Sequence, residues 1–251
     1  MARRILIENV TLGLITLDDR QAHHLRNVLR LQTGNDVEVF DKSGIVGAAV
    51  LSEVSESRIV ISVQTIMEAT SQKRIHLTIA SAIPKAARAD WLIEKCGELD
   101  VDIFIPLQTR RSVTEPGGKN KFERWQRIAE EASKQSNRAG VLKLMPLFPL
   151  QKAIDTARNS EPSDSSRHVG LFLSTAPSKI SLVRLCDQLM ETHTTHLTVF
   201  VGPEGGWTDD EIQQMNDAGF TAVGLTQTIL RIETAALAAA AIIKSCVQIV
   251  R

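Results

Sequence analysis

The sequence predicts an α/β protein with a parallel β-sheet, preceded by a small β-rich domain. From residue 73 onward, short apolar runs alternate with segments of helical spacing, a pattern typical of parallel sheets covered by helices. Strand-like runs of alternating polar and apolar residues dominate the earlier part, and a polar segment at 70–74 separates the two patterns. A chain of 251 residues can form two domains, so we predict a small domain at 1–72 and a larger one at 73–251.

The first domain is predicted to contain four strands and one helix. The helix is expected at 19–31, where apolar residues recur at the spacing of one helical face and a glycine follows. The turn sequence Asp-Lys-Ser-Gly at 41–44 indicates a hairpin between two of the strands. The strands are predicted at 3–7, 37–39, 45–54 and 59–64.

The second domain is predicted to alternate strands and helices along its length. Its first helix should direct Trp91, Leu92, Cys96 and Leu99 toward the core, and its second strand should stop at Pro106. The strands are predicted at 77–83, 101–107, 168–173, 197–201 and 221–225, and the helices at 84–99, 119–137, 150–158, 177–191, 208–219 and from 233 onward.

A glycine-rich loop follows the strand predicted at 197–201. The strand is short, apolar and β-branched, which suits a strand buried on both faces. It leads into the sequence Gly-Pro-Glu-Gly-Gly at 202–206, and Thr208 with Glu211 then forms a capping box that begins a helix. Neither of the two common phosphate-binding glycine motifs is present. This loop alone is compatible with a tight turn or with a ligand site.

Composition excludes several classes of protein. The formal net charge is zero, but residues 73–144 carry 14 Lys and Arg against nine Asp and Glu, so one face could meet a polyanion or simply be solvated. The three cysteines have neither metal-ligand nor disulfide-motif spacing, and we predict reduced thiols and no metal. No stretch has the character of a signal peptide or membrane span, so a cytoplasmic protein is expected.

Two motifs carry a resemblance to a known family. Gly202–Gly206 is the first, and the second runs from Leu225 to Ala235 with Ile229-Leu230-Arg231 and Glu233-Thr234 inside it. Together they resemble the RsmE family of SPOUT-class methyltransferases. The resemblance implies a trefoil-knot α/β domain, and the segment 23–41 is similar to that family's PUA-like RNA-binding barrel. The activity implied is methylation of N3 of a uridine in 16S ribosomal RNA, on the 30S particle, by a homodimer that uses S-adenosyl-L-methionine.

The resemblance also implies roles for individual residues. Arg231 is the best candidate to stabilise negative charge on the uracil carbonyls, because a guanidinium stays charged and can address two oxygens. Glu233 could orient it or simply begin the helix, and Arg138 is a second candidate for contact with the target nucleotide. The predicted cofactor-binding residues are Leu173, Gly202, Pro203, Glu204, Gly205, Gly206, Leu225, Thr226, Ile229 and Leu230, and the predicted RNA-binding residues are Arg26, Arg30, Lys85, Arg88, Arg110 and Arg111.

Four positions depart from the family pattern. Thr226 and Asp100 stand where the family has glycine, Thr228 where it has arginine, and Lys134 where it has glutamate. A threonine at 226 disfavours positive φ, so a reshaped cofactor loop is expected. Two alternatives stay open: a related knotted methyltransferase that modifies a ribose 2′-oxygen or another RNA, and a non-catalytic RNA-binding protein with a degenerate knot domain.

Overall fold

The computed structural model divides the protein into two compact units. The first comprises Met1–Gln72 and Ser133–Val141, and the second comprises Lys73–Ala132 and Leu142–Arg251. The chain therefore returns to the first unit after its initial passage into the second. The residues that the structure describes are 3–18, 22, 25, 31–55, 58–67, 75–113, 119–159, 167–176, 180–192 and 194–248.

The first unit contains a five-stranded sheet in the order β1-β3-β4-β5-β2. Only β1 and β3 pair in parallel among these strands. The predicted strands are confirmed, and Ala22 and Leu25 of the predicted helix are buried, whereas most of that helix lies outside the described residues. Strand β2 was not predicted. It has only four residues and is mostly exposed, so it lacks the alternation of buried and exposed residues by which a strand is recognised. The strands are β1 (Arg3–Leu6), β2 (Gly13–Thr16), β3 (Asp36–Phe40), β4 (Val46–Val54) and β5 (Ile59–Met67).

A buried aspartate fixes the predicted hairpin turn. Asp41 accepts hydrogen bonds from the backbone N–H groups of Val10, Ser43, Gly44 and Ile45, at 2.9–3.2 Å. Burial by itself raises the pKa of Asp41, but the hydrogen bonds from the Ser43 side chain and from Val10, Ile45 and Ser43 backbone outweigh it and lower the pKa. The folded protein therefore stabilises the charged form of the Asp41 carboxylate.

The second unit confirms the predicted parallel sheet. In the described part of the chain it has seven strands, in the order β12-β10-β11-β6-β7-β8 with β9 beside β7. All the pairings between these strands are parallel. The central strand β11 is buried from residue 197 to 201, as its apolar sequence predicts. The strands are β6 (His76–Ala82), β7 (Ile103–Gln108), β8 (Lys143–Leu144), β9 (Phe148–Pro149), β10 (Arg167–Leu173), β11 (Thr194–Val201) and β12 (Thr221–Val223).

Strand β7 continues through Pro106, contrary to the prediction. Pro106 pairs with Ser81 of β6 on one side. On the other side, β8 pairs with residues 103 and 104 and β9 with 107 and 108. Proline lacks an N–H donor, and it is tolerated here because it lies in the gap between two short partners.

Six helices in the described part of the chain surround the sheet. The first packs Ala89, Leu92, Ile93 and Cys96 into the core, which confirms the prediction for Leu92 and Cys96, whereas Leu99 is half-buried at the helix C-cap. Trp91 was predicted to face inward and is 46% exposed, because its position is one residue off the buried stripe of the helix. The helices are α1 (Ala87–Glu98), α2 (Lys119–Gln135), α3 (Leu150–Arg158), α4 (Leu182–Glu191), α5 (Asp209–Asp217) and α6 (Ile232–Gln248).

The departure at Asp100 has a structural explanation. Asp100 has φ of 59°, a left-handed conformation that glycine adopts freely and aspartate tolerates. Its carboxylate lies 3.2 Å from the Nζ of Lys244 in α6, which also pairs with Asp102 at 3.2 Å. The substitution therefore adds an anchor for the C-terminal helix. None of the described helices has the length and apolarity needed to cross a membrane.

Candidate active site at the carboxyl ends of the parallel strands

The predicted site residues of the second unit gather at one edge of its sheet. Because all the strands are parallel, the loops after β6, β7, β10, β11 and β12 leave the sheet at the same edge. Ligands of open α/β sheets bind in this position. A cleft at this edge is lined by Ala82, Ile83, Pro84, Lys85, Arg111, Ser112, Val113, Pro203, Glu204 and Ile232.

The glycine-rich loop lies between β11 and α5. The predicted capping box is confirmed: Thr208 Oγ1 accepts from the Glu211 N–H, and the Glu211 side chain accepts from the Thr208 N–H. A side chain at Gly202 would place its Cβ 2.9 Å from the Trp207 ring, and Gly206 has φ of 70°. The absence of a side chain at Gly202 therefore leaves room for the Trp207 ring, and Gly206 has the left-handed backbone conformation that favours glycine.

Trp207 is a site residue to which the sequence reasoning gave no role. Its indole Nε1–H donates to the Leu173 carbonyl at 2.9 Å, which ties the loop after β11 to the end of β10. The ring is also the surface against which Gly202 packs. Its position directly after the glycine motif was the only available signal, since its partner is distant in sequence.

Arg110 and Arg111 lie in the loop after β7, where Arg111 contacts the glycine-rich loop and Arg110 contacts the helix that follows it. The Arg111 guanidinium donates to the carbonyls of Gly205 at 2.8 Å and Trp207 at 3.2 Å. The Arg110 backbone N–H donates to the Glu211 carboxylate at 2.8 Å. Glu211 is buried, and its carboxylate accepts hydrogen bonds both from the N-cap of the helix and from the loop after β7. The side chains of both arginines were predicted to meet RNA, and the structure gives Arg111 this additional structural task.

The loop after β12 carries the second motif. Strand β12 ends at Val223, earlier than predicted, because Gly224 bridges to Ser181 instead. Thr226 does not have positive φ, and its Oγ1 donates to the Thr228 carbonyl at 2.8 Å. The two threonines thus close a turn by a side-chain hydrogen bond. Ile229 is 84% exposed and offers an uncovered apolar surface.

Arg231 and Glu233 occupy the beginning of α6. Arg231 is exposed, and its carbonyl accepts from the Ala235 N–H at 2.8 Å. Glu233 is only 5% exposed, and its Oε1 lies 3.5 Å from Nη1 of Arg88. The same nitrogen of Arg88 lies 3.9 Å from Oε1 of Glu204. The other oxygen of Glu233, Oε2, is buried without a hydrogen-bond partner among the described residues.

One described site residue belongs to the first unit rather than the second. Arg138 belongs to the first unit, where it is 8% exposed and its carbonyl accepts from Nη1 of Arg4 at 2.9 Å. The structure does not describe Arg26 and Arg30, so their prediction is left as it stands. No cluster of three or more His, Cys, Asp or Glu that could hold a metal occurs within the described ranges.

Known proteins share both units of this chain. Residues 71–244 match the family model described as RNA methyltransferase domain, and residues 17–64 match the RNA methyltransferase PUA domain. A Synechocystis sp. protein named Ribosomal RNA small subunit methyltransferase E is 32% identical, covering 99% of this chain and 79% of that protein. The Bacillus subtilis protein of the same name is 30% identical, covering 94% and 91%.

The fold comparison agrees with the sequence comparison. The crystal structure of a Ribosomal RNA small subunit methyltransferase E from Neisseria gonorrhoeae bound to S-adenosyl methionine has a TM-score of 0.81 with this chain. The two are 29% identical, and the match covers 98% of each chain. The chain therefore belongs to the RNA methyltransferase family, and within it to the group of ribosomal RNA small subunit methyltransferases E.

Proposed function

We propose that this protein transfers a methyl group from S-adenosyl-L-methionine to N3 of a uridine in the 16S ribosomal RNA of the 30S particle. The observation that supports this most strongly is the convergence of the two motif loops and an exposed arginine at one sheet edge. Relatives that are similar over nearly the whole chain carry the name of that substrate class. The proposal includes a cytoplasmic homodimer, and the knotted threading of α6 stays a prediction.

The cofactor would bind against backbone more than against side chains. S-adenosyl-L-methionine supplies an electrophilic methyl group on a sulfonium. The exposed end of the loop fits a close approach of the ribose and methionine portions, because no atom lies within 4 Å of the Cβ position of Gly206. The exposed Ile229 provides apolar surface for adenine. We assign to this pocket Leu173, Pro203, Glu204, Gly205, Leu225, Thr226 and Leu230 as well.

Arg231 is proposed to act on the target base. Methylation at N3 requires loss of the imide proton, and negative charge then spreads over the two carbonyl oxygens and the nitrogen. An arginine that remains charged and exposed can donate to those oxygens. Glu233 is proposed to support this segment, and Arg138 is the second candidate for contact with the nucleotide.

The remaining cations are proposed to bind the RNA backbone. Lys85 and Arg110 are exposed beside the cleft and suit contacts with phosphates, which set affinity rather than base choice. Arg26 and Arg30 would extend these contacts from the first unit, whose PUA match indicates an RNA-binding domain. We propose residues 1–72 as this domain and 73–251 as the catalytic one.

Methyl transfer from labelled cofactor to small ribosomal subunits that lack the modification tests the proposal. We expect label in 3-methyluridine after nucleoside analysis. The Arg231→Ala variant should keep its fold and lose about 100-fold or more in kcat, because one donor to developing negative charge is removed. Label in a ribose-methylated nucleoside would contradict the proposed reaction. Wild-type turnover in Arg231→Ala would remove Arg231 from the mechanism.

A further inference from the structure

Arg88 lies between two carboxylates of the candidate site. It belongs to the first turn of α1, and its Nη1 lies 3.5 Å from Glu233 and 3.9 Å from Glu204. A single nitrogen atom is therefore within ion-pair distance of both acidic side chains. The side chain of Glu233 is 6% exposed and that of Glu204 is 51% exposed, so the pair with Glu233 is the more sheltered of the two.

The charges around Arg88 argue against the predicted contact with a phosphate. One cation and two carboxylates sum to a net charge of −1, and such a group repels a phosphate rather than attracting it. Glu233 is buried, and a buried carboxylate requires a compensating charge. Within the described part of the chain, Arg88 is the cation in ion-pair range of Glu233. Its guanidinium is therefore committed to the protein.

The two carboxylates belong to the two motifs of the site. Glu204 is in the glycine-rich loop, whereas Glu233 is in the first turn of α6, two residues after Arg231. The Arg231 carbonyl is hydrogen-bonded to the Ala235 N–H, so its backbone follows the orientation of the helix. Arg88 thus connects the loop assigned to the cofactor with the segment that presents Arg231.

We propose that Arg88 is a positioning residue that holds the glycine-rich loop and the beginning of α6 in register, and that it does not bind RNA phosphate. The proposal rests on the proposed methyl transfer for its kinetic consequences. Without Arg88, Glu204 and Glu233 would repel each other, and Arg231 would lose its fixed position relative to the cofactor loop. A small displacement of a reacting group strongly reduces the rate of the chemical step.

Arg88→Gln and Lys85→Gln form a matched pair, because both remove a cation from the loop and helix start after β6. Steady-state methylation of small ribosomal subunits at several salt concentrations compares them. Arg88→Gln should lower kcat by about 10- to 100-fold. KM for subunits should stay unchanged, and so should the salt slope, which is the slope of log KM against the logarithm of the salt concentration. Lys85→Gln should raise KM and reduce the salt slope by about 1, with kcat unchanged. An Arg88→Gln variant that instead behaves like Lys85→Gln would overturn the proposal.

A double-mutant cycle tests the ion pair independently of turnover. Cofactor affinity is measured by calorimetry for Arg88→Gln, Glu233→Gln and the double variant, with circular dichroism to establish folding. Since each single change breaks the same pair, the double variant should bind within about twofold of the weaker single variant. If the losses of cofactor affinity in the two single variants instead multiply in the double variant, Arg88 and Glu233 are not coupled. Arg88→Lys keeps the charge and should recover part of the affinity, which gives a measurement even if Arg88→Gln fails to fold.

The two proposals fail in different ways. Wild-type protein that binds the cofactor but transfers no label would contradict the proposed reaction, and the binding cycle would still decide for or against Arg88. Wild-type protein that produces 3-methyluridine, together with an additive cycle, would leave the reaction standing and remove Arg88 as its positioning residue.

Discussion

The two edges of the parallel sheet use charge in different ways. At the carboxyl edge, Arg231 and Lys85 face solvent, and the buried Glu233 keeps one oxygen without a described partner. At the amino edge, Lys244 is 8% exposed and donates to Asp100, Asp102 and the Ile75 carbonyl at 3.2–3.5 Å. Lys244 and its two aspartates are paired within the protein, whereas Arg231 and Lys85 at the carboxyl edge are exposed. The two edges of the sheet therefore differ in how far their charged side chains are paired within the protein.

A row of three histidines marks the amino edge. His76, His196 and His168 occupy paired positions on the adjacent strands β6, β11 and β10. The rings of His76 and His196 stack with centroids 5.0 Å apart, and His168 Nε2 lies 3.0 Å from Thr198 Oγ1. Burial, and secondly the charge of His196, lower the pKa of His168 to about 4. Burial at this edge consequently lowers the pKa of His168 and of His196 and favours their neutral forms.

Helix α6 connects the two edges. Its first turn carries Glu233, which pairs with Arg88, and Lys244 near its other end pairs with the two aspartates. The helix has 17 residues and so spans about 25 Å. Its anchoring at the amino edge should hold the helix in place while its beginning serves the site.

Lys244→Met should have the largest effect on stability. It leaves Asp100 and Asp102 without their buried cation, and breaking such a pair costs about 3 kcal/mol of unfolding free energy. Denaturant unfolding of the variant measures this loss. Lys143→Met, an exposed control, should change stability by less than about 0.5 kcal/mol. Similar losses for the two variants would mean that the amino edge has no special role in stability.

His168 should contribute to the pH dependence of stability. The folded-state pKa of His168, about 4, is below the ordinary value of 6.5, so the unfolded chain takes up the proton first as pH falls. The contribution of His168 is complete above pH 6.5 and is lost as pH falls toward about 4. Urea unfolding across this range should show a flatter profile for His168→Gln than for the wild type. Parallel profiles would exclude His168 as the source.

Trp207→Phe should have a smaller effect, confined to the carboxyl edge. The ring is retained, but the hydrogen bond from Nε1 to the Leu173 carbonyl is lost, at a cost of about 1 kcal/mol. Calorimetry should show cofactor affinity reduced by roughly fivefold. Trp91→Phe is the matched control, because Trp91 is exposed on α1, and it should leave that affinity unchanged. Equal losses in both variants would contradict a special role for the Trp207 hydrogen bond.

Thr226→Gly should have the smallest effect. It restores the residue of the family pattern and removes the hydrogen bond from Thr226 Oγ1 to the Thr228 carbonyl. Loss of one exposed hydrogen bond changes loop stability by about 0.5 kcal/mol. We expect cofactor affinity within about threefold of wild type. A much larger change would show that this side-chain hydrogen bond shapes the pocket.

The sequence by itself determined the local elements and their order. The apolar run of β11, the capping box of Thr208 and Glu211, and the buried stripe of α1 depend on residues that are neighbours along the chain. Alternation of strands and helices was sufficient to predict a parallel sheet, and a parallel sheet places the loops at one edge. The two motif loops could therefore be expected at a common edge, whereas the roles of their residues came from the family resemblance.

Only the tertiary structure decided which side chains meet. Trp91 faces outward because of how α1 is rotated against the sheet, and periodicity alone does not fix that rotation. Arg111 reaches the Gly205 carbonyl, 94 residues away, and Arg88 pairs with Glu204 and Glu233. Such contacts depend on strand register and helix placement, which many distant residues set together. The elements follow from local spacing, and the pairing of charges in the site follows from packing.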